Sequence, residues 1–310
     1  MRKVGSLEVS IAGLGCNNFG MRIDADGAEA VTHAALDAGV NHFDTAESYG
    51  GGLSEEFLGR ALGGRRAEAV ITTKFGGRGT DTGDAPGSAA NVRRAVDGSL
   101  QRLGTDTIDL YLLHVPDATT PILETLTALN ALLDAGKVRE IGCSNFSAAQ
   151  LDEAATVAAE HGLRPFVNVQ NNYSLLDRAV EDDALPAVER LGITLMPYFP
   201  LASGVLTGKY KRGEAAPEGT RLAAWGDRAS MFLNDQKLDV VERLDAFATA
   251  HGHTLTELAL SWLAGCPAVA SVIAGATSPE QVRANAAATE AWELDDAERA
   301  EVNELARVGS

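Results

Sequence analysis

Short apolar runs alternate along the chain with segments whose apolar residues recur at helical spacing. The runs are Val9–Leu14, Val40–Phe43, Ala69–Thr73, Ile108–Leu113, Val138–Cys143, Phe166–Val169, Ile193–Met196 and Val269–Ile273. Near-continuous apolar character is the mark of strands covered on both faces, as in a parallel sheet. Between the runs, Val92, Val96, Leu100 and Leu103 step by three and four, as do Ile122, Leu126, Leu129 and Leu133. That spacing predicts amphipathic helices. Asp26-Gly27-Ala28-Glu29, Ser147-Ala148-Ala149-Gln150 and Thr254-Leu255-Thr256-Glu257 read as helix starts. Thr120-Pro121 and Ser278-Pro279 set proline at a first helical position, and Gly39, Gly104, Gly136, Gly162, Gly192 and Gly252 read as stops.

Eight runs, each leading to a helix, predict an α/β chain folded as a (β/α)8 TIM barrel. Residues 1–310 are then expected to form a single domain. Arg2-Lys3-Val4 and Leu7-Glu8-Val9 flank Gly5-Ser6 and predict an N-terminal β-hairpin. Long loops are expected at the C-terminal face: Tyr198 to Asn234 is rich in Gly and Lys/Arg, and the five glycines of Gly76 to Gly87 suggest a mobile loop near the pocket. A terminal helix begins at Asp295, with Glu298 completing its start. The alternative fold, a doubly wound sheet, wants a G-x-G-x-x-G turn, whereas Gly13-Leu14-Gly15 runs on as Cys16-Asn17-Asn18. Leu258 to Pro279 carries no charge and is long enough to span a bilayer, but Gly265-Cys266-Pro267 breaks it. It reads as a buried helix end followed by a buried strand.

Composition narrows the partners. With 45% hydrophobic and 22% charged residues, the 310-residue chain can bury a large core. A formal net charge of −17 repels nucleic acid and anionic membrane, so neither is expected as a partner. A phosphate-bearing ligand would have to meet a local basic cluster, for which Lys209, Lys211, Arg212 and Arg221 are the candidates. Three widely separated cysteines fit a reducing, cytoplasmic setting, and the first residues show no secretory pattern.

In barrels of this kind the chemistry sits at the C-terminal ends of the strands. There the sequence sets Asp44, Lys74, His114, Ser144-Asn145, Gln170 and Tyr198 in order. Tyr49 follows Asp44 by five residues. A phenol ordinarily holds its proton to about pH 10, but Lys74 beside it would stabilise the phenolate and make Tyr49 a proton donor. A buried Lys74 would need Asp44 to keep its charge. His114 could orient a carbonyl oxygen. The set suits protonation of a carbonyl while hydride arrives from elsewhere, which implies a nicotinamide cofactor.

Several stretches carry a resemblance to a known family. They are Gly13-Leu14-Gly15-Cys16, Phe43-Asp44-Thr45-Ala46-Glu47-Ser48-Tyr49-Gly50, Thr72-Thr73-Lys74-Phe75, Leu112-Leu113-His114, Ile141-Gly142-Cys143-Ser144-Asn145-Phe146 and Asn168-Val169-Gln170. Pro200 to Tyr210 and Pro279 to Asn285 continue the series. In this order and spacing, over nearly the full length, the chain resembles the aldo-keto reductases. The resemblance implies that Asp44, Tyr49, Lys74 and His114 are a catalytic tetrad, with Tyr49 the general acid. It implies that Ser144, Asn145 and Gln170 hold a nicotinamide carboxamide and that Tyr198 stacks on its ring. Gly15, Cys16, Asn17 and Asp44 are implied to adjoin the cofactor. By the same resemblance Leu201, Ser203, Gly204 and Lys209 fall near its pyrophosphate and Gly275, Thr277, Gln281 and Asn285 near its 2′-phosphate, while Arg221 is expected to reach the cofactor as part of the basic cluster.

Two positions depart from the family pattern. Phe199 follows the stacking tyrosine where many members carry serine, and Gln281 stands at the usual arginine, with Arg283 two positions on. NADPH is the expected cofactor, ahead of NADH. Tyr49, His114, Phe75 and Trp225 are the expected substrate contacts, with Phe19, Met21 and Phe146 as further apolar lining. The expected function is reduction of a small-molecule aldehyde or ketone to an alcohol; the sequence sets neither the compound nor the oligomeric state. The alternative is an NADPH-binding regulatory subunit with little turnover, like the channel-associated members of that family. A metal-dependent barrel hydrolase is a third reading, but His251-Gly252-His253 follows a helix where that chemistry needs a strand end.

Overall fold

A computed structural model describes residues 1–77, 83–214, 216–218, 220, 222–223 and 233–307. The hairpin forms as expected, β1 (Arg2–Val4) pairing antiparallel with β2 (Leu7–Val9). Eight parallel strands then close into a barrel: β3 (Ala12–Gly15), β4 (His42–Asp44), β5 (Val70–Phe75), β6 (Ile108–Leu113), β7 (Val138–Ser144), β8 (Asn168–Asn172), β9 (Thr194–Tyr198) and β10 (Val272–Gly275). β10 pairs with both β3 and β9, which closes the ring and leaves no free edge.

Side chains alternate across the wall, as the two-residue period of a strand requires. On β6, Leu110 and Leu112 pack with Val4, Leu7 and Val9 of the hairpin and with Met196, Ala270 and Ile273. Tyr111 and Leu113 join the larger apolar layer between strands and helices. The hairpin thus plugs one end of the barrel and leaves the opposite rim for chemistry. Register brings the rim residues level, with Gly15 beside Asp44 and Ser144 beside Gln170.

Most predicted signals act where expected. Ser147, Thr254 and Asp295 each complete a capping box, and Ser278 caps a helix with Pro279 in its first turn. Gly39, Gly104, Gly136, Gly162, Gly192 and Gly252 all take left-handed backbone after helices. Two starts are corrected. Asp24, not Asp26, caps the first helix by accepting from the Gly27 amide, and Pro121 is itself the cap of helix Ile122–Asp134. The run Val9–Leu14 is divided, because Ser10 bonds to Asn41 and to the Ala12 carbonyl and turns the chain from hairpin into barrel. Val269 only bridges Leu195, and β10 starts at Val272. The uncharged stretch after Leu258 is the end of helix Leu255–Ala264 followed by β10. Among the described residues no helix is long and apolar enough to cross a membrane.

Candidate active site

At the open rim lies a cavity of about 740 Å³. Asp44, Tyr49, His114, Ser144, Asn145, Gln170 and Tyr198 reach it from the strand ends, with Gly15 and Asn17 from the end of β3. Leu201, Ser203, Gly204 and Lys209 line it from the connection after β9, and Gly275, Thr277, Gln281 and Asn285 from the segment after β10. Lys74 stands behind the wall, fully buried.

Lys74 is the electrostatic centre of this rim. Its Nζ donates to Asp44 Oδ2 at 2.7 Å and to the Thr45 carbonyl at 2.8 Å, and lies 5.1 Å from the centre of the Tyr49 ring. Burial works to lower the Lys74 pKa, but Asp44 and Tyr49 outweigh it and hold the group above its ordinary value. It therefore stays an ammonium, as expected of a lysine with a carboxylate beside it. For Tyr49 the expected balance is overturned. Burial raises its pKa by more than Lys74 lowers it, so the resting phenol holds its proton more tightly than a free one. Tyr49 meets the His114 ring edge-on, with centroids 5.8 Å apart. Burial, reinforced by Lys74, pushes His114 down to about 4, so its imidazole is neutral at pH 7.

A chain of hydrogen bonds runs round the rim. Gln170 Nε2 donates to Asp44 Oδ1 at 2.7 Å, and Ser144 Oγ donates to the Gln170 carbonyl at 2.7 Å. Asn145 Nδ2 donates to the His114 carbonyl at 2.9 Å, and the Tyr198 hydroxyl donates to Asn145 Oδ1 at 2.7 Å. Asn145 has a φ of 63°, a left-handed backbone that asparagine tolerates better than most residues.

Beyond β9, Phe199, Ala202 and Ser203 also carry positive φ, at 53°, 46° and 59°. Three such non-glycine residues in five positions mark a segment held in strain by its surroundings. Ser203 Oγ is buried and has no hydrogen-bond partner among the described residues. Gly204 has a φ of 93°, and a Cβ there would lie 2.8 Å from Lys209 Nζ, so the ammonium rests close against the turn. An unpaired hydroxyl and an adjacent ammonium fit an anionic group such as a dinucleotide's diphosphate. At the far end, Gln281 Oε1 accepts from the Thr277 amide at 2.8 Å and its hydroxyl at 3.0 Å.

Some expected residues do not come to the cavity. Cys16 is packed in the core with its thiol on the Leu14 carbonyl. Phe75 stacks on Tyr111 at 4.8 Å, because on a strand that turns Lys74 inward the next side chain must turn outward. Phe19 and Phe146 are buried in the core, whereas Met21 is exposed. Of the basic cluster, Lys209 alone among the described residues lines the cavity. Arg212 pairs with Asp235, Asp239 and Glu242, and Lys211 is exposed. Arg221 and Trp225 lie outside the described residues, as does part of the Gly76 to Gly87 loop. His251 and His253 pack on Trp292 and are not among the residues that line the cavity. Asn18, Arg22, Thr207, Glu218 and Thr220 also line the cavity. Sequence alone names none of these as a contact, because loop residues carry no periodic signal, although Asn18 follows the expected Asn17 and Thr207 falls inside the Pro200 to Tyr210 stretch.

The family model for aldo/keto reductases matches residues 12–307. A probable voltage-gated potassium channel subunit beta from Oryza sativa subsp. japonica is 40% identical over 273 residues, covering 86% of this chain and 83% of the rice protein. An aldo-keto reductase of Bacillus subtilis is 35% identical over 279 residues, covering 88% of this chain and 81% of its own. Among solved structures, the glycerol dehydrogenase from Gluconobacter oxydans superposes with a TM-score of 0.83 at 30% identity, covering 98% of this chain and 94% of that one.

Proposed function

The chain belongs to the aldo/keto reductase family and is a nicotinamide-dependent oxidoreductase, and from that premise we propose that it reduces a small-molecule aldehyde or ketone with NADPH, Tyr49 giving the proton. The observation that carries this reading is the Lys74 ammonium, 2.7 Å from Asp44 and 5.1 Å from the Tyr49 ring centre. Proton transfer leaves a phenolate in a buried setting, where an unpaired charge is costly. The ammonium offsets that charge as it develops, and in a low-dielectric site the attraction is far larger than in water. Lys74 thus acts on the charge-separated state, which its modest hold on the resting phenol does not reveal. His114, neutral at pH 7, can donate a hydrogen bond to the carbonyl oxygen without adding charge.

When bound, the nicotinamide supplies the hydride. Gln170 has its amide nitrogen committed to Asp44, which leaves Oε1 to accept from a carboxamide beside Ser144 and Asn145. Tyr198, fixed through its hydroxyl to Asn145, presents its ring as a stacking face. Ser203, Gly204 and Lys209 would hold the diphosphate, and Thr277, Gln281 and Asn285 the adenosine end. NADPH is proposed ahead of NADH on the family resemblance, with Arg283 the nearest described cation in sequence to that end.

A second reading rests on the rice relative, whose name describes a channel subunit. On it, this chain would bind NADPH tightly and turn over slowly as a regulatory subunit. One experiment separates the two: turnover over a panel of small carbonyls, followed by nicotinamide absorbance, beside the cofactor release rate. Turnover well above one per minute on any compound supports the reductase. Slower turnover on every compound, with cofactor release equally slow, supports the subunit.

A further inference from the structure

On its C-terminal side Tyr49 is tied through backbone alone, its carbonyl accepting from the Leu53 amide at the start of helix Leu53–Leu62. After it come Gly50, Gly51 and Gly52, all with left-handed backbone and φ of 59°, 67° and 100°. Three glycines bring no side chains that could brace the tyrosine. Before it, the chain continues alongside β5 beyond the end of β4. The Thr45 amide donates to the Thr72 carbonyl at 2.8 Å, and the Glu47 amide to the Lys74 carbonyl at 3.1 Å. The last tie is a side chain. Glu47 Oε1 accepts from the Gly76 amide at 2.8 Å, the first amide past the end of β5. Glu47 is buried and reaches back across the gap between the two segments.

The point it grips matters as much as the point it leaves. Gly76 has a φ of 71°, and a Cβ there would lie 2.9 Å from the Pro86 carbonyl, so this turn accepts only glycine. Next to it, Gly77 backs the catalytic imidazole: a Cβ at that position would lie 2.7 Å from His114 Nδ1. The His114 amide itself donates to the Phe75 carbonyl at 2.9 Å. One residue therefore ties the segment that carries Tyr49 to the Lys74 strand end through its backbone amide, and to the turn that walls His114 through its carboxylate.

Resting on the reading of Tyr49 as proton donor, we propose that Glu47 is a positioning residue for the proton-donating centre, holding Tyr49 and His114 in register through its bond to the Gly76 amide. It touches no reacting atom in this role. Reach, not charge, is what the role demands. Burial raises the Glu47 pKa, so the site tolerates a neutral group, and the neighbouring charges divide between Arg94 and Arg102 on one side and Glu55 on the other. A misplacement of about 1 Å at reacting groups can cost on the order of a hundredfold in rate.

Two near-isosteric variants separate reach from charge. Glu47→Gln keeps the chain length and an accepting oxygen but removes the charge. Glu47→Asp keeps the charge but is one methylene too short. Both are measured with the best carbonyl from a substrate panel, per cofactor-binding site, with KM for the cofactor and the thermal midpoint alongside, and with Tyr49→Phe in parallel. The expected result is a fall in kcat of about tenfold or more for Glu47→Asp, with Glu47→Gln within about twofold of the parent. KM for the cofactor should stay within about twofold for both. A purely structural role would lower the thermal midpoint and the number of binding sites while leaving kcat per site unchanged. Parent-like kcat in Glu47→Asp, or equal loss in both variants, overturns the Glu47 inference while loss of activity in Tyr49→Phe leaves the reductase reading standing. Full activity in Tyr49→Phe overturns both.

Discussion

A fully buried ammonium is the least stable residue on this rim unless its partners stay in place. Removing a lysine from water costs several kcal/mol, and that cost is offset only where charge and hydrogen bonds are supplied together. Asp44 Oδ2 and the Thr45 carbonyl supply both. The identities of these residues were readable from strand-end positions, because Asp44 and Lys74 follow apolar runs directly. The sign of the Tyr49 shift was not, because sequence reveals neighbours in the chain but not depth of burial. That sign has a consequence for pH dependence. An acid catalyst works while protonated, and a raised pKa keeps Tyr49 protonated past the usual range near 10. The kcat for reduction should therefore stay level from pH 7 to about 9.5, measured at saturating cofactor and substrate. A fall centred near pH 8 would contradict a buried, proton-holding phenol.

The elements were legible where local chemistry decides them and illegible where partners do. Ser147, Thr254 and Asp295 cap through their own side chains, so sequence spacing suffices. Asp26 has the better spacing on paper, with Glu29 three residues on, yet Asp24 is the cap and accepts from the Gly27 amide. Several strand ends run past the predicted limits, to Asp44, Phe75, Ser144 and Tyr198, because a parallel ladder continues through polar rim residues that apolar counting excludes. Close packing between elements was equally hidden. Gly59 lies within helix Leu53–Leu62, and a Cβ there would sit 2.3 Å from the Leu103 carbonyl at the end of helix Ala89–Leu103. Alanine is the better helix former by about 1 kcal/mol, so propensity alone favours Gly59→Ala. The backbone contact should win, and the variant should lose about 1–3 kcal/mol in urea unfolding. A gain in stability would show that the two helices can part freely.

For the molecule as a whole, the alternation of runs and helical spacing announced the barrel, because eight strand–helix units have one closed solution. The cavity's extent was less visible. It draws on residues from the end of β3 to Asn285, and only the closed ring brings them within reach of one another. Burial in this ring also sets acid sensitivity. His42, hydrogen-bonded to Ser271 and Thr72 inside the barrel, and His114 at its rim are both pushed down to about 4 from 6.5. The unfolded chain binds their protons first, so their stabilising effect is complete above pH 6.5 and lost as pH falls toward 4. Each contributes on the order of 3 kcal/mol over that window. Glu47, with its raised pKa, works in the opposite direction for one proton. Two histidines against one carboxyl should lower the urea midpoint between pH 7 and pH 4.5, and an unchanged midpoint would refute the burial of both rings.

The central claim is that a buried phenol, backed by the Lys74–Asp44 pair, gives the proton. It is tested most directly by single-turnover reduction with Tyr49→Phe, which removes one oxygen and keeps the ring. Cofactor affinity, read by fluorescence quenching, should stay within about twofold, while the rate of nicotinamide oxidation falls by about 10²-fold or more. A Tyr49→Phe protein that reduces its substrate at close to the parent rate would contradict the account.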